Sequence, residues 1–130
     1  MLSMFVQDAG SSRAWDFILE REPIAVVSDF AAAEFASALN LRVRAGRLAK
    51  VEAQTALDAF DLWRRAAAGC RLESADIAAA EIYLRRLDLP LRALDALHLA
   101  LVERLGFELA TFDLKMAASA RALEIAVAIS

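Results

Sequence analysis

The sequence predicts a helix-rich α/β fold with a short parallel sheet. Hydrophobic residues make up 59% of the chain, and much of that share is alanine, the residue with the highest helix propensity. Short apolar runs free of charge stand between the longer helical segments. Because strands that alternate with helices pair in parallel, this order predicts a parallel sheet. At 130 residues the chain has the length of one compact domain, expected to span residues 1–130.

The first part of the chain is predicted to form a short helix and then a buried strand. Ser11 and Ser12 precede an apolar face, so we expect a short helix that ends near Arg21. The run over residues 24–27 contains β-branched residues and no charge, which predicts a buried parallel strand. Ser28 is expected to cap the helix that follows.

Two long helices come next and are expected to form an αα-hairpin. The first is predicted over residues 29–45 and ends before Gly46, where a glycine is favoured after a helix. The second is predicted over residues 50–68 and is closed by Gly69. Its core face should consist of three large residues at helical spacing: Leu57, Phe60 and Trp63.

The second half of the chain is predicted to contain three helices and two strands. One helix is expected from Ser74 to Leu87, before Pro90 breaks the helical pattern, and another from about Arg92 to Gly106. The remaining elements are, in order, a strand over residues 108–112, a helix over residues 114–123 capped by Asp113, and a terminal strand over residues 125–129.

Composition excludes several functional classes. Charges interrupt every apolar stretch before a membrane-spanning length is reached, so we expect a soluble, cytoplasmic protein. Cys70 is the only cysteine and His98 the only histidine, which excludes an intramolecular disulfide and multi-histidine zinc sites. With only four glycines, phosphate-binding and dinucleotide-binding glycine loops have little support. A net charge of −3 argues weakly against nucleic-acid binding, although a divalent cation would change that balance locally.

Three acidic residues occupy positions at which a metal site is expected. Glu34 follows the first predicted strand, Asp95 begins a helix, and Asp113 follows the strand predicted over residues 108–112. Carboxylates beyond strand ends can meet at one edge of a parallel sheet, and Mg²⁺ prefers such oxygen ligands. The residues alone leave the alternative open that these charges are solvated or terminate helices.

Three segments resemble the PIN-domain ribonucleases of the VapC toxin family. The string LRALDALHLA at residues 91–100, followed by LG at 105–106 and ELATFD at 108–113, is similar to the C-terminal half of that family. Residues 28–41 resemble a second family motif, in which a strand leads into a helix with a single glutamate, here Glu34. FVQD at residues 5–8 looks like the family's first helix.

The resemblance implies a three-layer α/β/α fold and a metal-dependent endoribonuclease. Glu34, Asp95 and Asp113 would be the catalytic residues and would bind Mg²⁺ or Mn²⁺, while the Thr111 hydroxyl orients Asp113 or a metal-bound water. His98 would be a structural part of its motif. The resemblance also implies a type II toxin that forms a homodimer and is neutralised by a cognate antitoxin protein.

Three positions depart from the family pattern. The family opens with a strand that ends in an aspartate, and Met1 comes after that point, so we expect a truncated domain with weak or absent activity. Glu124 stands where the family often has glycine, and Met116 where relatives sometimes have an acid. The alternative is a non-catalytic PIN module that dimerises and binds an antitoxin through apolar helical segments such as residues 58–63. A third interpretation, an unrelated helical interaction domain, predicts no parallel sheet.

Basic residues cluster at the junction of the two long helices. Arg42, Arg44, Arg47 and Lys50 are candidates for steering RNA through phosphate contacts. The alternative is a solvated helix end, because the helix dipole favours cations near a C-terminus.

Overall fold

The computed structural model describes residue 16 and residues 26–129. The chain separates into two compact units, Met1–Arg71 and Leu72–Ser130. Asp16 is helical, as predicted, whereas the rest of the first predicted helix, residues 24–25 and the motif at residues 5–8 lie outside the described residues. Among the described residues, no helix has both the length and the apolar character required to cross a membrane.

The N-terminal unit contains a helical hairpin flanked by two strands. Its described elements are β1 (Val26–Ser28), α1 (Asp29–Arg44), α2 (Lys50–Ala66) and β2 (Ala68–Cys70). β1 pairs in parallel with β2, with Val27 opposite Gly69. The two helices are joined by the stacked rings of Phe35 and Phe60, whose centroids lie 4.4 Å apart. The predicted hairpin and its core residue Phe60 are therefore confirmed.

Both ends of α1 follow local sequence signals. The Ser28 Oγ accepts a hydrogen bond from the Ala31 backbone N–H at 2.9 Å, which satisfies one of the unpaired donors of the first turn. After the last turn, Gly46 adopts a φ of 71° in the left-handed region. This conformation lets the Arg47 N–H donate to the Arg42 carbonyl at 2.9 Å and so closes the helix.

The predicted end of the second helix is wrong. The helix stops at Ala66, and Ala68–Cys70 forms strand β2. Gly69 is extended within this strand and is not a left-handed helix cap. The sequence misled because alanine favours helix, whereas the strand exists through its pairing with β1, some forty residues earlier.

The C-terminal unit has its own sheet and its own core. Its elements are α3 (Ser74–Arg85), α4 (Ala93–Leu105), β3 (Leu109–Ala110), α5 (Leu114–Ala122) and β4 (Val127–Ile129). β3 pairs in parallel with β4, and both strands are shorter than predicted. Tyr83 of α3, Leu99 of α4 and Ile125, which follows α5, belong to one buried cluster.

The parallel pairing in both units confirms the predicted class, a helix-rich α/β fold with short parallel strands. The interpretation as an unrelated helical interaction domain is therefore wrong, because it predicted that no parallel sheet would be present. The short strands are each joined to a longer helix, so the helices supply most of the described regular structure.

A buried ion pair joins α3 to α4. The Asp76 side chain is 1% exposed, and its carboxylate accepts from Arg104 Nε at 2.7 Å and from Arg104 Nη2 at 3.0 Å. The same carboxylate also accepts from the Glu73 backbone N–H at 2.8 Å. This paired arrangement satisfies a charge that would otherwise be costly to bury, and it fixes α4, the helix that carries Asp95.

The ion pair between Asp76 and Arg104 makes the stability of the protein depend on pH under acidic conditions. The hydrogen bond from Arg104 holds the pKa of Asp76 below the ordinary aspartate value, against the opposing effect of burial. A carboxyl whose pKa is lower in the folded state contributes stability above its unfolded-state pKa, and this is lost as the pH falls through the folded-state pKa. Urea unfolding should therefore show a free energy that falls below about pH 4. In the Asp76→Asn variant, the free energy of unfolding should fall less steeply as the pH decreases below about pH 4. An equally steep fall in both proteins would contradict the assignment of this pH dependence to Asp76.

Glu124 adopts a left-handed backbone conformation, although it lacks the conformational freedom of glycine. Its φ is 61°, and the Ile125 N–H donates to the Ala120 carbonyl at 2.8 Å, so the turn after α5 is the one that a glycine usually forms. The position at which the resemblance expects a glycine thus has the backbone conformation that glycine favours, although the residue is glutamate. In an L-residue, this φ introduces backbone strain.

Glu124→Gly is expected to stabilise the protein. Relief of the left-handed strain, offset by the greater freedom of glycine in the unfolded chain, should give about 0.5–1 kcal/mol, measured by urea unfolding. The reverse change is the matched control: Gly106 has a φ of 68° and open space around its Cβ position, so Gly106→Ala should destabilise through the backbone alone. Destabilisation by Glu124→Gly would show that the glutamate side chain matters more than its φ.

Candidate functional site

Asp113 caps helix α5 and lies three residues after the last residue of strand β3, Ala110. Its Oδ1 accepts hydrogen bonds from the backbone N–H groups of Lys115 and Met116, at 2.9 Å and 3.0 Å. The residue is exposed, and within the described part of the chain no group donates to its Oδ2. One oxygen therefore fixes the carboxylate at the helix end, and the other is available to a cation.

Thr111 fixes the backbone that carries Asp113. Its Oγ1 accepts a hydrogen bond from the Asp113 backbone N–H at 3.1 Å, and Oγ1 lies 4.0 Å from the Met116 sulfur. The hydroxyl thus reaches Asp113 through the main chain and not through the carboxylate. This contact gives Thr111 a physical means of positioning Asp113.

Asp95 is the third residue of α4 and is half-buried. Its Oδ2 accepts a hydrogen bond from the Arg92 backbone N–H at 3.2 Å, which caps the start of the helix. No group in the described part of the chain donates to the other oxygen. Asp95 therefore combines a local structural role with a carboxylate oxygen still open to a ligand. His98, one turn further on, is also half-buried.

Glu34 lies in the second turn of α1 and is half-buried beside the buried Phe35. A carboxylate in this setting is less hydrated than one on the exposed face of the helix. Glu34 belongs to the N-terminal unit, whereas Asp95 and Asp113 belong to the C-terminal unit. The four predicted RNA-contacting residues also belong to the N-terminal unit, at the turn between α1 and α2: Arg42, Arg44, Arg47 and Lys50.

The chemistry of these acids suits a hard divalent cation. Mg²⁺ takes oxygen ligands, and it needs only a few carboxylates because it keeps several waters. Among residues 16 and 26–129, no three carboxylate, imidazole or thiol groups stand together as a metal cluster. Glu34, Asp95 and Asp113 are therefore individual candidate ligands, and each fits the ion by the type of its donor atoms.

A comparison with known families places these residues in context. Residues 2–122 match the family model of the PIN domain, a span that includes Glu34, Asp95 and Asp113. No curated protein matches the sequence. PIN domains are typically nucleases and generally use divalent metal ions. Because the match extends over nearly the whole sequence and agrees with the parallel α/β architecture, the chain belongs to the PIN-domain family.

Proposed function

We propose that this protein is a metal-dependent endoribonuclease of the VapC toxin type. The observation that carries the proposal is the setting of Asp113: it follows a parallel strand, caps the next helix with one oxygen, and keeps the other for a ligand. The motif strings around Asp95 and Asp113, which resemble the VapC toxins, support the choice of RNA as the substrate.

Glu34, Asp95 and Asp113 would hold one or two Mg²⁺ or Mn²⁺ ions. Such an ion, when bound, supplies Lewis acidity that activates water and offsets the charge of the phosphodiester. The chain itself contributes orientation: two backbone N–H groups fix the Asp113 carboxylate, and the Arg92 N–H fixes that of Asp95. Ligands held before the ion arrives lose less freedom on binding it.

Cleavage of labelled RNA tests the enzyme proposal directly. The expected result is endonucleolytic cleavage in Mg²⁺ or Mn²⁺ that stops in EDTA. No cleavage by the folded protein would overturn the proposal.

Thr111→Val is expected to weaken Mn²⁺ binding about tenfold or more, within the range for residues that orient metal ligands. Valine keeps the shape of the side chain and removes the oxygen that accepts from the Asp113 N–H. Calorimetric titration with Mn²⁺ measures the effect. Thr111→Ser restores the hydroxyl and should restore the affinity; equal affinities in all three proteins would remove Thr111 from the site.

A non-catalytic PIN module that dimerises and binds an antitoxin is the second candidate. It is favoured by an exposed apolar residue on α2, Leu62, which is 68% exposed within the segment of residues 58–63. This candidate predicts that Leu62→Glu lowers the fraction of dimer in sedimentation analysis and leaves Mn²⁺ binding unchanged. A monomeric wild-type protein would count against it.

A further inference from the structure

The turn between α1 and α2 carries a dense positive charge on an acidic protein. Four of the 15 Lys and Arg residues lie between residues 42 and 50, although the whole chain has a net charge of −3. No acidic residue occurs between Glu34 and Glu52. We call these four residues the hairpin patch: Arg42, Arg44, Arg47 and Lys50.

The backbone holds the hairpin patch in a defined shape. Arg42 and Arg44 lie in the last turn of α1, Arg47 follows the left-handed Gly46, and Lys50 is the first residue of α2. The hydrogen bond from the Arg47 N–H to the Arg42 carbonyl, at 2.9 Å, closes the turn. Four cationic side chains therefore extend from one tight connection between two packed helices.

Most of this charge is not neutralised by other residues that the structure describes. Arg44, Arg47 and Lys50 are exposed, and they form no ion pair in the part of the chain that the structure describes. By contrast, the exposed Arg86 is paired with Asp88 at 2.9 Å. Arg44, Arg47 and Lys50 are therefore available to an anion from outside the described residues.

Helix electrostatics account for only part of the patch. The dipole of α1 favours the cations Arg42 and Arg44 in its last turn. The dipole of α2 disfavours Lys50, which stands at the helix N-terminus, and Arg47 lies in the connection between the helices. A bound polyanion would interact favourably with all four residues, whereas the dipoles explain two.

We infer that the hairpin patch binds the sugar-phosphate backbone of single-stranded RNA, an inference that rests on the proposed ribonuclease function. Three of the four residues are arginines, whose planar guanidinium groups bind phosphate in a bidentate manner and stack on unpaired bases. A membrane surface is less suitable, because an interfacial helix needs a broad apolar face. Among the described residues, only Leu41 and Val51 flank the patch as exposed large apolar residues. Contacts to the backbone carry no sequence preference.

The test is RNA binding by the full chain in EDTA, where metal-dependent cleavage is suppressed. Fluorescence anisotropy with a labelled single-stranded RNA of mixed sequence gives the Kd at several salt concentrations. A triple variant, Arg44→Gln, Arg47→Gln and Lys50→Gln, is expected to raise the Kd about tenfold or more and to lower the slope of log K against log salt by about 2.

A matched variant removes the same charge elsewhere, at three exposed arginines that form no ion pair within the described residues: Arg64→Gln, Arg65→Gln and Arg121→Gln. Its Kd should change less than threefold. Equal weakening in both triple variants would overturn the inference, since net charge alone would then explain binding. Binding to phosphatidylserine vesicles without binding to RNA would also overturn it.

Different results would overturn RNA binding by the hairpin patch and the proposed ribonuclease function. If RNA binding depends on the hairpin patch but the protein does not cleave RNA, the RNA-binding inference is supported and the proposed ribonuclease function is overturned. If the protein cleaves RNA but the wild type and the patch variant bind RNA with equal affinity, the ribonuclease function is supported and the RNA-binding inference is overturned. Circular dichroism of each triple variant, with a melting temperature close to wild type, verifies that the fold is intact.

Discussion

Replacing Arg104 with methionine is expected to lower the free energy of unfolding by about 3–5 kcal/mol, because the substitution leaves a buried carboxylate without its counter-ion. Asp76 is only 1% exposed and cannot regain full hydration in the folded protein. The backbone N–H of Glu73 remains as a donor, but it replaces neither the charge nor the two hydrogen bonds of the guanidinium. Urea unfolding at pH 7 measures the loss.

An exposed ion pair provides the matched control. Arg86 and Asp88 form a similar two-point contact, but their side chains are 41% and 55% exposed. Arg86→Met should leave the free energy of unfolding nearly unchanged, since solvent screens the pair and hydrates the remaining carboxylate. A double variant, Asp76→Leu with Arg104→Met, should recover part of the lost stability because no buried charge remains. Arg104→Met with wild-type stability would contradict the role assigned to this pair.

Asp113→Asn is expected to reduce metal-dependent cleavage by more than the roughly 10–100-fold that loss of an outer partner of a metal site costs. Asparagine keeps the shape of the side chain and is itself a good helix cap, so stability should change little. It removes the negative charge that a divalent cation requires. Initial cleavage rates in Mn²⁺, together with the melting temperature, separate the loss of a ligand from the loss of the fold.

The control for this substitution makes the same charge change on an exposed helix face. Asp61 lies exposed on α2, and Asp61→Asn should retain wild-type cleavage and stability. Equal cleavage rates for Asp113→Asn and the wild type would remove Asp113 from the catalytic group, whatever the effect of other substitutions.

Much of the fold could be predicted because its signals are local. Ser28 caps α1, while Gly46 and Gly106 end α1 and α4 in the left-handed conformation that their residue type favours. Strand β2 could not be predicted, since Ala68–Cys70 has no strand preference and exists through pairing with β1. The ion pair that joins α3 to α4 was also hidden, because its two residues are 28 positions apart in the sequence.

In the candidate site, too, the features with local sequence signals could be predicted and those that depend on distant residues could not. The position of Asp113 after a strand and at a helix start follows from its neighbours, and so does its two-residue spacing from Thr111. The cap made by the Asp95 carboxylate could also have been inferred, since it lies three residues after Arg92. Glu34 belongs to the other compact unit, and no local signal in the sequence relates it to these two acids.

Calorimetric titration with Mg²⁺ and Mn²⁺ tests most directly the proposed divalent metal site of Glu34, Asp95 and Asp113. The wild-type protein is expected to give a saturable heat of binding that disappears in Asp95→Asn while the melting temperature stays close to wild type. No heat in either protein, or the same heat in both, would contradict the metal site.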